Sequence, residues 1–200
     1  FPVHSDVRNN TEKTMQALRE SGATTTPVTL GWTEAVKRTA VTHYAHYYGS
    51  DGHEEHRELL CDYSLYYAKL KKNRTAAGYN KVVEMTAKMY ETLGPILEKY
   101  DAFICPTVAI PSIPAAMRPH ELIEIDGRKV DADFGWCMTY PFNMLGQLPA
   151  LAVPSGVSTT GVPTGIQIVA KPFDDVGAFR VARALEQVQP WGYDAPRRLV

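Results

Sequence analysis

The stretch YPFNMLGQLPALAVPSG, residues 140–156, decides how the chain is read. Pro149 and Pro154 bracket a short apolar run, Ala150 to Val153, and Ser155-Gly156 follows at once. Proline supplies no N–H to a ladder, so pairing is expected to be limited to the residues between the two rings, with Ser155 in the turn that leaves the strand. A serine in that place also raises the question of a nucleophile. An α/β-hydrolase presents its serine in G-x-S-x-G, where small neighbours permit a strained turn. Here Val153 and Val157 stand at the glycine positions and Pro154 precedes the serine, so that pattern is absent.

Working outward, TGIQIVAK (164–171) reads as a further strand, and Asp174 caps a helix running to about Val188. ELIEIDGRKV (121–130) places Asp126-Gly127 between two strand-like arms, the strongest short hairpin signal in the chain. DAFICP (101–106) is a short buried strand ending in proline, and AIPSIPA (109–115) is a proline-punctuated extended connection. Before Asp101 the pattern is mostly helical. Ser5-Asp6 caps a first helix that Ser21-Gly22 stops. Trp32, Val36, Ala40 and Tyr44 form one apolar stripe on a helix that reaches Tyr48 and breaks over Gly49 to Gly52. His53 to Leu70 also looks helical. Thr75 caps a long helix from Ala76 to Tyr100, with Val82, Val83, Met85, Met89, Leu93, Ile96 and Leu97 as its core face and a kink at Gly94-Pro95. TTTPVTL (24–30) reads as a short edge β segment. Helices over residues 1–100, then strands interleaved with helices over 101–190, predict a single α/β unit of α/β/α layers around a mixed β-sheet.

Composition narrows the function. Lys plus Arg number 21 and Asp plus Glu 22 among 200 residues, so no net field recruits nucleic acid, an anionic membrane or an acidic partner. No apolar run reaches the roughly 20 residues of a membrane span, and no targeting signal opens the chain, which predicts a soluble, cytoplasmic protein. The opening Phe1-Pro2 leads to the expectation of a preceding segment, removed or on another chain. Cys61, Cys105 and Cys137 form no C-x-x-C pair and read as free thiols. His43 with His46 and His53 with His56 have the spacing of two imidazoles on one helix face, but HEEH is not H-E-x-x-H and no third ligand is identifiable, so no metal is assigned. Tyr44, Tyr47, Tyr48, Tyr63, Tyr66, Tyr67, Tyr79 and Tyr90 crowd the helical half, as packing residues or as the wall of a ligand pocket. There is no G-x-G-x-x-G and no P-loop, and no cofactor is implied.

Four blocks carry a family resemblance: HRELLCDY (56–63), AAGYNKVVEMTAKMYETLGPILEKYDAFICPTV (76–108), MTYPFNMLGQLPALAVPSG (138–156) and GVPTGIQIVAKPFDDVGAFRVARALEQ (161–187). With Asn143, Gly146, Pro149, Pro154, Gly156, Gly165 and Gln167 in one register, they resemble the C-terminal half of the amidase signature family, and the likeness extends over nearly the whole chain. The resemblance implies amide C–N hydrolysis by a serine nucleophile, a second serine with a cis peptide bond and an upstream lysine. Those three act from a Gly-Ser-rich stretch that this sequence lacks; no two serines are adjacent, so no catalytic residue is carried over and Ser155 is not assigned the role. The implied contribution of this half is scaffold and pocket wall, with Trp136 and Tyr140 facing substrate and Asp133 a further candidate. Where the glutamyl-tRNA amidotransferase branch has an acid holding a substrate amino group, this chain has Trp136, which implies a small neutral amide, aromatic or acyl. The partner expected is an N-terminal amidase half bearing the serines and lysine. Two rival readings stand: a non-catalytic ligand- or protein-binding remnant of an amidase, and a metal hydrolase built on the four histidines.

Overall fold

The computed structural model describes residues 1–48, 55–70, 74–118 and 120–191. Its helices are α1 (Ser5–Glu20), α2 (Glu34–Tyr48), α3 (Asp62–Ala68), α4 (Ala76–Lys99), α5 (Tyr140–Met144) and α6 (Asp175–Val188). Its strands are β1 (Phe103–Pro106), β2 (Leu122–Ile125), β3 (Arg128–Asp131), β4 (Ala150–Val157) and β5 (Pro163–Val169). Two of the caps act as the sequence predicts. Thr75 Oγ1 accepts the Gly78 N–H at 2.9 Å and Asp174 Oδ1 accepts the Gly177 N–H at 2.8 Å, each satisfying an otherwise orphaned donor of the first turn.

β1, β5 and β4 form a sheet in that spatial order, every pair antiparallel. The two-residue side-chain period of a strand sends alternate residues to opposite faces. One face presents Ile104, Leu151, Val153, Ile166 and Ile168 to Leu18 of α1 and to Ala182 and Leu185 of α6. The other presents Phe103, Cys105 and Val169 to Val36 and Ala40 of α2, to Val82, Met89, Leu93 and Leu97 of α4, and to Phe142 and Met144 of α5. Helices on both faces of a sheet give the α/β/α layering expected from the sequence. Each fully buried aliphatic side chain in these two layers contributes about 1.5–3 kcal/mol from removal of apolar surface from water. β2 and β3 form a separate hairpin closed by Asp126 (φ 51°) and Gly127 (φ 73°), the left-handed pair that a two-residue turn requires.

Several expectations are corrected. The N-cap of α1 is His4, whose Nδ1 accepts the Asp6 N–H, and not Ser5-Asp6; the Asp6 carboxylate is instead taken by the Thr159 N–H and hydroxyl. Residues 24–30 form no strand: Pro27 has no N–H to offer, and no described strand lies alongside to pair with the rest. Residues 55–70 are not one helix. A short 3-10 turn at Arg57–Leu59 gives way to extended backbone at Leu60 (φ −87°, ψ 134°) before α3 starts. Residues 55–59 are exposed, and helical propensity without a buried face does not hold a helix. The predicted break at Gly49 to Gly52, and His53, lie outside the described residues. On α4 Val83 points to solvent while Val82, Met89, Leu93 and Leu97 are buried, and the helix ends at Lys99 with Pro95 inside it.

Ser155 is also relocated. β4 does not stop at Pro154 but continues to Val157, with a register shift between Pro154 and Gly156 that absorbs the missing donor. Ser155 lies within the strand, 1 % exposed, its Oγ 2.9 Å from Thr164 Oγ1 and its carbonyl oxygen accepting from Gln189 Nε2 at 3.0 Å. Asn10 of α1 closes the same corner by donating to Thr164 Oγ1 and to the Val157 carbonyl.

Candidate functional site

Residues 131–143 link the hairpin to the central sheet and carry all three residues singled out from the sequence. Asp131 opens the segment. Its Oδ1 accepts the Gly135 N–H at 2.9 Å, which folds the backbone into a tight turn, and its Oδ2 lies 3.1 Å from Lys37 Nζ of α2. Burial alone depresses the Lys37 pKa, but the bonds to Glu34 and Asp131 outweigh it and hold the ammonium above its ordinary range.

Asp133 is half-buried. Burial pushes its carboxyl up to about 6, the hydrogen bond from Tyr67 opposes that shift, and the neighbouring Asp131 charge adds to it. Tyr63 Oη lies 3.4 Å from Asp133 Oδ1 and 3.3 Å from Tyr67 Oη, so two of the three tyrosines of α3, Tyr63 and Tyr67, face one carboxylate. Burial drives the Tyr67 phenol upward, and it stays a neutral donor across the physiological range. A carboxyl whose native pKa exceeds its ordinary 3.8 adds stability below that value and loses it as pH rises through about 6. Asp133→Asn is therefore expected to raise unfolding stability relative to the parent by about 1–2 kcal/mol near pH 7.5, a figure discounted for partial solvent screening, and by little near pH 4. Thermal melts of the two proteins at both pH values check this; an equal difference at both would contradict it.

Trp136 turns toward the hairpin. Its indole Nε1 donates to the Ala132 carbonyl at 2.9 Å, and the ring packs with Ala109, Ile123, Ile125 and Ala132. Tyr140, at the start of α5, is buried between Phe1 and Phe134, with ring centroids 5.7 and 5.3 Å away. Burial raises its phenol pKa. The structure thus brings Asp133, Trp136 and Tyr140 onto one short segment, with their side chains directed to three different neighbours. Gln167 of β5 fixes that segment to the sheet, its Nε2 donating to the Pro106 carbonyl at 3.0 Å and to the Met138 carbonyl at 2.9 Å.

Sequence reasoning named Tyr63 and Tyr67 among the crowded tyrosines without pairing them with Asp133, and it missed Lys37. Tyr63 and Tyr67 stand four apart on α3, a spacing that places two side chains on one face and could have marked them as a pair. Lys37 left no comparable signal, because its partner Asp131 is distant in sequence. A cavity of about 500 Å³ lies beside Asn143, lined by His43, Tyr44 and Tyr47 of α2. Burial, with the nearby His46, lowers the His43 pKa and favours the neutral imidazole. Among the described residues no group of three or more His, Cys, Asp or Glu side chains is placed to hold a metal ion. No described helix is long and apolar enough to cross a membrane.

Comparison with known proteins sets this arrangement in a family. The family model "Amidase" matches residues 1–178, and the chain belongs to that family. Among curated relatives, an acylamidase of Rhodococcus erythropolis is 28 % identical over 144 residues, which is 72 % of this chain and 30 % of the relative. A glutamyl-tRNA(Gln) amidotransferase subunit of Dehalococcoides mccartyi is 33 % identical over 125 residues, 60 % of this chain and 23 % of the relative. The chain therefore spans less than a third of the length of these relatives. Among solved structures, a bacterial aryl acylamidase of the amidase signature family superposes with a TM-score of 0.73 at 23 % identity, covering 96 % of this chain and 42 % of that one. A 6-aminohexanoate cyclic dimer hydrolase superposes with a TM-score of 0.65 at 22 % identity, covering 96 % of this chain and 43 % of that one. At these identities the structural likeness establishes the fold, that of the amidase signature enzymes.

Proposed function

We propose that this chain is the C-terminal part of an amide hydrolase. It supplies scaffold and substrate-pocket wall to a catalytic segment that carries two serines and a lysine on a preceding stretch or a partner chain. The observation that carries this reading is Ser155. Ser155 is 1 % exposed and engaged with Thr164, with no described base within hydrogen-bond reach, which supports a nucleophile other than Ser155.

A surface patch supports a missing neighbour. Phe173, Val176 and Phe179 at the start of α6 are 79 %, 61 % and 64 % exposed. Phe173 also holds φ at 61°, a left-handed conformation uncommon for a bulky residue. Three bulky apolar groups held in water along one short stretch mark a contact surface.

The substrate class is read from the family register of Trp136, Tyr140 and Asp133 as residues of the segment beside the pocket. By the family register Trp136 stands where an acid would hold a charged amino group, which removes that charge partner, and the likeness to an acylamidase and an aryl acylamidase fits a small neutral amide with an acyl or aromatic substituent. Trp136→Asp, assayed in the complete enzyme against an aryl amide, is expected to raise KM roughly tenfold or more through loss of the apolar wall. An unchanged KM would sink the assignment of Trp136 to the pocket.

A further inference from the structure

Helix α4 carries two apolar stripes. The inner one, Val82, Met89, Leu93 and Leu97, is buried. The outer one, Tyr79, Val83, Ala87 and Tyr90, recurs at intervals of four, four and three residues, which sets it along one face of the helix, and that face is turned to solvent. Tyr79, Val83 and Tyr90 are 56 %, 52 % and 41 % exposed. A helix that covers one side of a domain ordinarily turns polar residues outward. Beside the outer stripe run four exposed charges of alternating sign, Lys81, Glu84, Lys88 and Glu91. Their spacing of three and four residues would allow bridges along the helix, such as Arg183 makes to Glu186 on α6, yet none of the four forms an ion pair with a described residue. α4 and α6 pack on opposite faces of the central sheet, so a segment seated on Phe173, Val176 and Phe179 does not thereby cover this stripe.

From this pattern we propose that the outer face of α4 is a contact surface for a second copy of this chain, the two α4 helices packing antiparallel about a two-fold axis at the level of Thr86. With that axis each residue stands level with the one equally far on the other side of Thr86. Lys81 then faces the partner's Glu91, and Glu84 faces the partner's Lys88, so the alternation yields an opposite-charge pair at every charged position. Two antiparallel helices meet with the same flank of each, which brings the charges together even though they lie on one side of the stripe. A parallel pair would set every charge level with its own copy, so the charge order selects the antiparallel arrangement. Ala87, the small member of the stripe, stands beside the axis and lets the helices approach, while Val83 meets the partner's Tyr90 on either side of it. One helix pair buries less than a standard interface, which places this dimer among the weak, reversible ones.

The test is sedimentation velocity of the intact, catalytically competent protein at concentrations from about 1 to about 100 μM. The readout is mass, so it does not depend on where the nucleophile lies. The expected result is a dimer that dissociates in roughly the micromolar range. Val83→Asp is expected to weaken it roughly tenfold or more by placing a charge in the apolar stripe, and Glu84→Lys to do the same by setting like charges against each other on both sides of the axis. Adding Lys88→Glu to Glu84→Lys exchanges the signs on both helices and is expected to return the affinity to within about threefold of the parent. A protein that stays monomeric over the whole range would overturn the proposal. So would a dimer whose affinity Val83→Asp and Glu84→Lys leave unchanged, which would put the contact on another face, and so would a double variant no tighter than Glu84→Lys alone. The three positions are exposed, so the variants are expected to fold, and unchanged thermal melts at the lowest concentration verify that.

Discussion

Gln167→Leu is expected to lower unfolding stability by roughly 2–5 kcal/mol, one of the two largest effects the structure implies. The amide Nε2 satisfies two carbonyl oxygens at once, Pro106 at the end of β1 and Met138 in the segment that carries the candidate wall residues. Gln167 itself is 3 % exposed, so leucine fits the space in volume but leaves both acceptors without a donor in a place water does not freely reach. Each buried acceptor left unmade costs about 1–3 kcal/mol. The same substitution unties residues 136–140 from the sheet. Denaturant unfolding of the parent and the variant measures the loss, and a difference below about 1 kcal/mol would contradict the anchoring role. Gln167→Glu is a useful companion, because it keeps the shape and reverses donor to acceptor. It is expected to be at least as damaging near neutral pH.

The second large effect belongs to Gly135. A Cβ built there would overlap the Asp131 carbonyl oxygen and stand 2.6 Å from Val130 Cβ and 2.9 Å from the Asp131 nitrogen. These are mostly backbone atoms of the same tight turn, so no side-chain rotation relieves the overlap. Gly135→Ala is expected to cost about 3 kcal/mol or more, at the upper end for overpacking, and to break the Gly135 N–H bond to Asp131 Oδ1. Asp131 then loses its orientation toward Lys37, and the proposed wall residues beside the turn are displaced together. Unfolding stability and KM for the amide substrate should therefore both worsen. Lost stability with an unchanged KM would separate the turn from the pocket.

Two helix caps and the hairpin turn of this fold were legible because their chemistry is local. Thr75 and Asp174 bond to residues three positions away, and Asp126-Gly127 sets its own hairpin geometry, so each is readable within a window of a few residues. Ser155 was misplaced for the opposite reason. Whether a strand continues past a proline depends on what lies alongside, and Thr164, Asn10 and Gln189 come from three distant elements to stabilise it. The break at Leu60 was hidden because helical propensity over 55–70 is continuous and only the lack of a buried face ends it.

At the candidate site, the resemblance placed Asp133, Trp136 and Tyr140 on one segment, but pairwise partners are long-range by nature. Tyr63 reaches Asp133 across 70 positions and Lys37 reaches Asp131 across 94. A single sequence holds no record of such pairs. The raised pKa of Asp133 likewise depends on burial that only the assembled layers create.

The measurement that tests the central claim most directly is labelling of the catalytically competent protein with a fluorophosphonate, which reacts covalently with an activated serine, followed by peptide mapping. The predicted result is a modified serine outside residues 1–200, in a Gly-Ser-rich stretch of a preceding segment or partner chain, with Ser155 and every other serine of this chain unmodified. A stoichiometric label on any serine within residues 1–200 would contradict it.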